Sequence, residues 1–387
     1  MAVGWPSVAV ADDNEVLESP VQVHGFVSQG FMASTSNNYL TKSTNGSFEF
    51  TEVGINFTKE LTDRFRVGVQ LFASELGPIG NYGAQVDWFY LDYRFFDWFG
   101  IRAGRTKLPF GLYNETSDID AARTPVLLPQ SIYPIQSRDF LLAQTGVELY
   151  GTIPLRSAGD LEYRAYGGTL FYDPSYEGQK SVENATVPYL VGGRIMWKPP
   201  LQGLQLGGSV QALRINLDYV VPDNLVQQLE AASVVPADFD GRLHAAIPAV
   251  LWVASVEYAP HELLLAAEYS RWHTRLESSI DAVAPSARTT SERMYAMASY
   301  RVRPWFTPGG YYSLSFSNVD DRSAVGGYQH DVAATMRFDL TDFWLLKLEG
   351  HFMHGTANLS SDLNDGRPHS EMKNDWLAGF VKTTAYF

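Results

Sequence analysis

The feature that most constrains this chain is a two-residue alternation of apolar and polar side chains, which begins near Val21. Val67 and Val69, for example, stand on one face of their segment, whereas Arg66 and Gln70 stand on the other. This period is that of a β-strand, because successive side chains of a strand point to opposite faces. Sixteen such segments predict an all-β chain. They are 21–34, 48–60, 65–76, 85–95, 99–108, 145–154, 161–172, 187–198, 204–217, 248–259, 263–276, 291–302, 306–318, 329–340, 343–354 and 373–387.

The lengths of the links between these strands alternate. Links from an even to an odd strand are short, as at 61–64 and 341–342, whereas most links from an odd to an even strand are long and polar, as at 35–47 and 218–247. A transmembrane barrel has tight periplasmic turns at one end and long outer loops at the other. Its strands must close on themselves because lipid offers no hydrogen-bond partners. The sequence therefore predicts a 16-stranded antiparallel transmembrane β-barrel.

Composition excludes several other classes. The net charge of -14 argues against nucleic-acid binding, which needs clustered basic residues, and the absence of cysteine excludes disulfides and thiolate metal sites. There is no apolar run long enough for a transmembrane helix. Aromatic residues collect at strand ends, as in Phe95 to Phe99 and at Trp305, which suits the interfacial girdle of a barrel. The alternative is a large soluble β fold with these aromatics in its core.

The N-terminus is interpreted as the remnant of an export signal. Residues 1–11 are uncharged, and Ala9-Val10-Ala11 has the small-x-small form of a cleavage site, although no basic segment precedes it. Residues 12–20 would then be a lead-in to a single barrel domain, 21–387. A disordered N-terminus is the alternative.

One link is much longer than the others. It runs from Pro109 to Gln144, a span of 36 residues, and contains the apolar stretches 125–129 and 132–135. Structureless loops of this length are uncommon inside compact domains and are usually functional. A sixteen-stranded barrel has an aqueous lumen, so a partly apolar loop could fold into it. We therefore predict that 109–144 is an inward-folded third loop that forms the constriction of a channel.

The same stretch carries a family resemblance. Residues 104–115, Gly-Arg-Thr-Lys-Leu-Pro-Phe-Gly-Leu-Tyr-Asn-Glu, together with 127–133, resemble proteobacterial outer-membrane porins related to the phosphate-selective O and P type. The resemblance extends over about 101–151. It implies a sixteen-stranded, usually trimeric diffusion channel of the bacterial outer membrane whose third outer loop folds inward, and it does not settle the solute. We expect small hydrophilic solutes to pass, and we expect outer-membrane lipid and lipopolysaccharide as partners. The chain has no dense series of lysines and arginines of the kind that strict phosphate selectivity would need, so phosphate selectivity is not predicted.

The candidate constriction combines basic wall residues with the charged loop. Strand parity, the face on which a residue stands in the two-residue alternation, separates lipid-facing from inward residues. By this criterion Arg66, Arg94 and Arg102 point inward from three consecutive strands near short turns, so we expect them side by side. Carboxylates of the loop would face them and set up a transverse field. Ordinary solvated lumen charges without a selective role are the alternative. The predicted constriction residues are Arg66, Arg94, Arg102, Arg105, Lys107, Glu115, Asp118, Asp120, Arg123, Arg138 and Asp139.

Arg105 and Lys107 conflict with strict parity, which points both toward lipid. A charged side chain facing the middle of the membrane costs about 2–4 kcal/mol. We therefore expect a bulge near Gly104, or an early end to the membrane span, that frees both side chains.

Parity also predicts a lumen of mixed charge and hence weak selectivity. Ten bases and eight acids point inward by this criterion. The bases are Arg66, Arg94, Arg102, Arg164, Arg194, Arg293, Arg301, Arg337, Lys347 and Lys382, and the acids are Asp92, Glu148, Glu162, Glu257, Glu268, Asp331, Asp339 and Glu349.

Two other functions are open to a chain of this class. An outer-membrane barrel enzyme would need a positioned nucleophile and base, but His24, His273, His351 and His354 stand in no recognisable motif. A soluble β-propeller or lectin-like binding module would need blade-length repeats, and no such repeat is found. Nothing in the sequence implies a cofactor. The prediction is a non-enzymatic channel for passive diffusion.

Overall fold

The computed structural model describes residues 20–137, 141–170 and 182–387. The predicted signal remnant 1–11 and all but the last residue of the lead-in 12–20 lie outside the described residues. Arg138 and Asp139 of the predicted constriction lie outside them as well.

Sixteen antiparallel strands form one closed barrel, in which each strand pairs with its neighbours in sequence and β1 pairs with β16. This confirms the predicted fold class. The strands are β1 Gln22–Ser34, β2 Thr51–Glu60, β3 Phe65–Glu75, β4 Gln85–Phe96, β5 Phe99–Lys107, β6 Ala143–Pro154, β7 Asp160–Leu170, β8 Val182–Lys198, β9 Leu204–Val220, β10 Arg242–Tyr258, β11 Leu263–Ser278, β12 Ala287–Tyr300, β13 Phe306–Phe316, β14 Tyr328–Thr341, β15 Trp344–Gly355 and β16 Asp375–Tyr386.

The helices of the described residues are short and lie in the links. No helix in the described ranges is long and apolar enough to cross a membrane. The α-helix α1 spans Asp223–Ala231, and the 3₁₀ turns are Ser43–Asn45, Asn114–Thr116, Asp120–Ala122, Ile135–Ser137, Arg156–Ala158 and His369–Glu371.

The largest differences from the predicted bounds are in β8 and β10. β8 begins five residues earlier than predicted, and β10 begins at Arg242 rather than at 248. The residues that these strands have beyond the predicted bounds include polar ones on the outward face. His244 of β10, for example, contacts its cross-strand partner Asp218 of β9. Because these strand ends have polar residues outside as well as inside, the alternation that identified the other strands fades there.

The outer surface of the barrel is apolar. Leu91, Ile195 and Val332 are exposed by half or more of their area, and they alternate with inward residues that carry polar groups. This inverts the pattern of a soluble protein and is the pattern of a lipid-facing wall. At the short-turn end, aromatic rings stack on one another, as in the pair Phe96 and Trp98.

The long third loop, which links β5 to β6, is folded into the barrel. Its apolar stretches pack on different parts of the wall, since Val126 and Leu127 contact the Trp376 and Phe380 cluster of β16, whereas Ile132 joins a cluster with β12 and β13. All of these loop side chains are buried. The apolar sequence of the loop is therefore explained by its packing against the inner wall.

Candidate channel constriction

Two arginines, one from each strand beside β4, share one carboxylate of β4 on the inner wall. Arg66 of β3 and Arg102 of β5 each place Nη2 on Oδ2 of Asp92 of β4, at 2.9 and 3.0 Å. The ring of Tyr90 lies beneath both guanidinium groups, at 5.5 and 5.0 Å from its centroid. Asp92 therefore relieves the repulsion between two cations that would otherwise face each other across one strand.

The alternation of charge continues around the wall. Arg102 and Arg164 share Oε1 of Glu148, at 3.2 and 3.1 Å, and the loop residue Glu115 joins Arg164 to Arg194, each at 2.9 Å. The result is a continuous row in which four arginines alternate with three carboxylates. We call it the arginine ladder: Arg66, Asp92, Arg102, Glu148, Arg164, Glu115 and Arg194.

Among the described residues, one of the predicted loop carboxylates faces the basic wall, and it contacts Arg164 and Arg194 rather than Arg66, Arg94 or Arg102. Of the described loop acids, Glu115 alone joins the ladder, and the other two carboxylates come from the wall itself. The reason is strand register, because Asp92 is the cross-strand partner of both Arg66 and Arg102 and Glu148 is the partner of Arg102. Parity predicts that Asp92 and Glu148 point inward. Only the register of the neighbouring strands shows which arginines are their partners.

Arg94 differs from the other two predicted wall arginines. It lines the same cavity of about 200 Å³ as Arg66 and Arg102, at the short-turn end of the barrel. Its side chain is exposed and makes no ion pair with any residue that the structure describes. Arg94 therefore leaves its charge open to water at one mouth of the barrel.

The predicted bulge lies on β4 and not at Gly104. β5 pairs regularly across Gly104, whereas the pairing of β3 with β4 shifts beside Gln70 and leaves Asp87 as an extra residue. Above the pair of Phe89 with Arg105, β4 and β5 stop pairing. Gly104 has a φ of +132°, and a Cβ there would lie 2.4 Å from the carbonyl oxygen of Phe89, so a side chain would strain this position.

The separation of β4 from β5 accommodates the two charges that parity pointed toward lipid. Arg105 donates its Nε to the carbonyl of Asp87 at 2.8 Å. Lys107 donates to the carbonyl of Glu115 at 3.0 Å and forms an ion pair with Asp118, which also accepts a hydrogen bond from Gln70. Asp118 therefore fastens the start of the loop to β3 and β5.

Asp120 lies on the opposite side of the lumen. It is fully buried and contacts Lys347 of β15 at 3.0 Å and Lys382 of β16 at 3.5 Å, with Arg123 of the loop at 3.7 Å. Burial alone would raise the pKa of this carboxyl, but the three cations, led by Lys347, hold its pKa well below the usual range. Asp120 is therefore a buried anion that ties the loop to β15 and β16.

Further contacts extend this attachment. Lys347 also donates to the backbone carbonyls of Asp120, Arg123 and Pro125, at 2.7 to 3.3 Å. Glu349 accepts the backbone N–H groups of Val126 and Leu127 at 2.7 and 2.9 Å. We call this set the loop anchor: Asp120, Arg123, Lys347, Glu349 and Lys382.

Two glutamates of the wall, Glu257 of β10 and the buried Glu268 of β11, hold both ends of the loop. Glu268 of β11 accepts hydrogen bonds from Tyr133, Tyr295 and the backbone N–H of Leu112. Tyr113 donates to Glu257 at 2.6 Å. Burial and the neighbouring carboxylates raise the pKa of both loop tyrosines well above the usual range, so both stay protonated donors.

Sequence reasoning named only part of this arrangement. Lys347, Lys382 and Glu349 were predicted to point inward but were not assigned to the constriction. Their role depends on where the loop crosses the lumen, and no pattern in the strands shows that path.

Comparison with known proteins agrees with this architecture. Residues 22–122, which hold the first five strands and the start of the loop, match the sequence model of the family described as phosphate-selective porins O and P. No curated protein sequence matches the chain significantly. Over its first strands the chain is therefore similar in sequence to these outer-membrane porins. The family resemblance, the channel function and the outer-membrane location predicted from the sequence are thereby confirmed.

Solved structures share the fold of this chain at low sequence identity. OmpT of Vibrio cholerae has a TM-score of 0.59 at 11% identity, covering 96% of this chain and 100% of its own. The anion-selective porin of Comamonas acidovorans has a TM-score of 0.58 at 13% identity, with coverage of 96% and 100%. Salmonella typhi OmpF, solved with daunomycin, has a TM-score of 0.53 at 15% identity, with coverage of 95% and 97%. At these identities the likeness concerns the fold alone.

Proposed function

We propose that this porin is a weakly selective, non-enzymatic channel through which small hydrophilic solutes and ions diffuse passively, and that residues 109–144 form its constriction. The observation that carries the proposal is the loop anchor, since its buried ion pairs fasten the loop to the wall opposite the arginine ladder. A loop held on both sides of a lumen narrows the passage that remains. Solutes then pass between two charged surfaces.

Weak selectivity is supported by the composition of the ladder. Four arginines and three carboxylates leave a surplus of one positive charge along this wall. Arginines that are paired with carboxylates attract anions, and repel cations, far less than a row of free lysines or arginines would. We therefore propose a small preference for anions and no strict phosphate selectivity.

The space beside the loop fits this proposal. A cavity of about 340 Å³ lies between the loop and the inner wall, lined by Ala121, Thr124, Arg301 and Arg337 among others. Its lining mixes polar and apolar side chains, and the polar ones, which include both arginines, suit a route that hydrated solutes would use.

We further propose that the porin assembles as a homotrimer and that its apolar outer wall contacts outer-membrane lipid and lipopolysaccharide. The structural neighbours include a trimer form of Vibrio cholerae OmpT. Assembly would cover part of the exposed apolar wall. We also propose that residues 1–11 are the remnant of an export signal, that 12–20 are a lead-in and that 21–387 form a single barrel domain.

Planar-bilayer recording of the detergent-purified chain under a salt gradient tests this function. We expect stepwise conductance and a reversal potential close to zero with the sign of a small anion preference. Absence of steps would contradict the channel. A reversal potential near the Nernst limit for either ion would contradict weak selectivity.

A further inference from the structure

A basic patch lies on the outward face of the barrel, where the charge of the chain would not suggest one. Arg271, His273 and Arg275 stand at every second position of β11. Because the preceding residue, Ser270, is buried and points inward, these three point outward. The chain as a whole carries a net charge of -14. A concentration of arginine on the lipid-facing side therefore requires its own explanation.

Two arginines stand directly opposite each other in this patch. Arg275 of β11 is the cross-strand partner of Arg288 of β12, and both are exposed. Like charges at such positions destabilise a sheet. Arg288 makes no ion pair with any residue in the described ranges. An anion bound between the two side chains would remove the repulsion.

The glutamates of the patch hold arginines without neutralising all of them. Glu292 of β12 contacts Arg271 at 3.2 Å and also pairs with Arg322 of the β13–β14 loop. Glu277 contacts Arg214 of β9 at 3.1 Å and Arg275 at 3.6 Å. We call the five arginines and their two glutamates the outer basic patch: Arg214, Arg271, Arg275, Arg288, Arg322, Glu277 and Glu292.

The height of the patch is marked by an aromatic pair. Trp252 and Tyr269 face outward on β10 and β11 with ring centroids 5.6 Å apart, and Arg271 is the cross-strand partner of Trp252. Outward aromatics of this kind mark the boundary between the apolar band and the headgroups. The rest of the patch lies farther along the strands toward the long loops, which places it at the headgroups of the outer leaflet.

From this placement we infer that the outer basic patch binds the phosphate groups of lipopolysaccharide. Arginine side chains bind phosphate through paired N–H donors, and basic clusters beside a membrane surface recognise anionic headgroups. This inference rests on the lipid contacts proposed above and names the residues that make them. It is independent of the lumen, because every arginine of the patch lies on the outward face or in an outer loop.

The test compares two double variants of the full chain in detergent. Arg275→Gln with Arg288→Gln removes the opposed pair and leaves both glutamates with another arginine partner. Arg156→Gln with Arg303→Gln is the matched control, since these two exposed arginines lie in short turns at the opposite end of the barrel. Each protein is titrated with lipid A that carries its two phosphates and with the same lipid A after their removal.

We expect wild-type protein and the control to bind phosphorylated lipid A about tenfold or more tightly than the dephosphorylated form. Arg275→Gln with Arg288→Gln should lose that preference while keeping wild-type conductance and heat-dependent gel mobility. Equal affinity of wild-type protein for both lipids would overturn the inference. So would a double variant that binds like wild type, or one whose oligomeric mass changes while its lipid binding does not, which would make the patch a contact between copies. A chain without conductance would refute the proposed channel and leave this binding result unaffected.

Discussion

The arginine ladder and the loop anchor are both built from basic side chains and carboxylates, but they differ in burial. In the anchor, Asp120 and Lys347 are fully buried against each other. In the ladder, the arginines keep part of their surface open, and Arg66 is 42% exposed. Breaking a buried pair leaves an uncompensated charge, whereas breaking an exposed one leaves a hydrated charge. The anchor is therefore suited to holding the loop, and the ladder to meeting the solute.

The largest effect is expected from Asp120→Asn. Removing this carboxylate leaves Lys347, Lys382 and Arg123 close together without their shared anion, which should cost about 3–5 kcal/mol of stability. We expect a lower unfolding temperature in detergent and noisier, larger single-channel currents as the loop detaches. Asp365→Asn is the control, since Asp365 pairs with Lys42 on the exposed surface. An Asp120→Asn channel as quiet and as stable as the control would show that the anchor does not hold the loop.

Acid should act on the same anchor only at low pH. The lowered pKa of Asp120 means that its contribution to stability is complete above the ordinary carboxyl pKa of about 3.9 and is lost only as pH falls through its lower folded value. We therefore expect unchanged current noise between pH 7 and about pH 4, and an increase in stronger acid. Recording at stepped pH checks this. An increase near pH 5 would contradict the assignment.

Glu115→Gln tests the ladder with a smaller effect. It removes the one loop carboxylate from the row and leaves Arg164 and Arg194 without it, so the reversal potential should move toward anion preference. Glu162→Gln is the matched control, because Glu162 pairs with Lys198 in a half-exposed contact at the short-turn end. Equal shifts in both variants would mean that position in the ladder is irrelevant.

The smallest effect separates Arg102 from Arg94. Arg102→Ala interrupts the ladder between Asp92 and Glu148, and we expect it to shift permeability toward cations. Arg94→Ala removes a hydrated charge at the mouth and should shift the reversal potential less. Single and double variants recorded in one salt gradient make the comparison. A larger shift from Arg94→Ala would place the selective charges at the mouth instead.

The fold could be predicted from the sequence because each strand carries its own two-residue pattern. The predicted strand Phe65 to Leu76, for instance, differs by one residue from β3. The pattern failed where strands rise beyond the apolar wall, as in β10, which begins at Arg242. There, polar residues on both faces remove the contrast on which the prediction depends.

The site was less predictable because its contacts join segments far apart in the chain. Parity correctly turned Arg66, Asp92 and Arg102 inward, but only the register shows that they are partners. The pairing of Asp120 with Lys347 joins residues 227 positions apart and depends on the path of the loop. Nothing in the local pattern of either segment specifies that path.

The most direct test of the account is the single-channel conductance of a variant that lacks residues 115–139, recorded beside the wild-type protein in the same planar bilayer. Heat-dependent gel mobility first establishes that the variant barrel is folded. If the loop is the constriction, conductance rises and the weak selectivity changes with it. A folded variant with unchanged conductance would contradict the account and place the narrowest point elsewhere in the barrel.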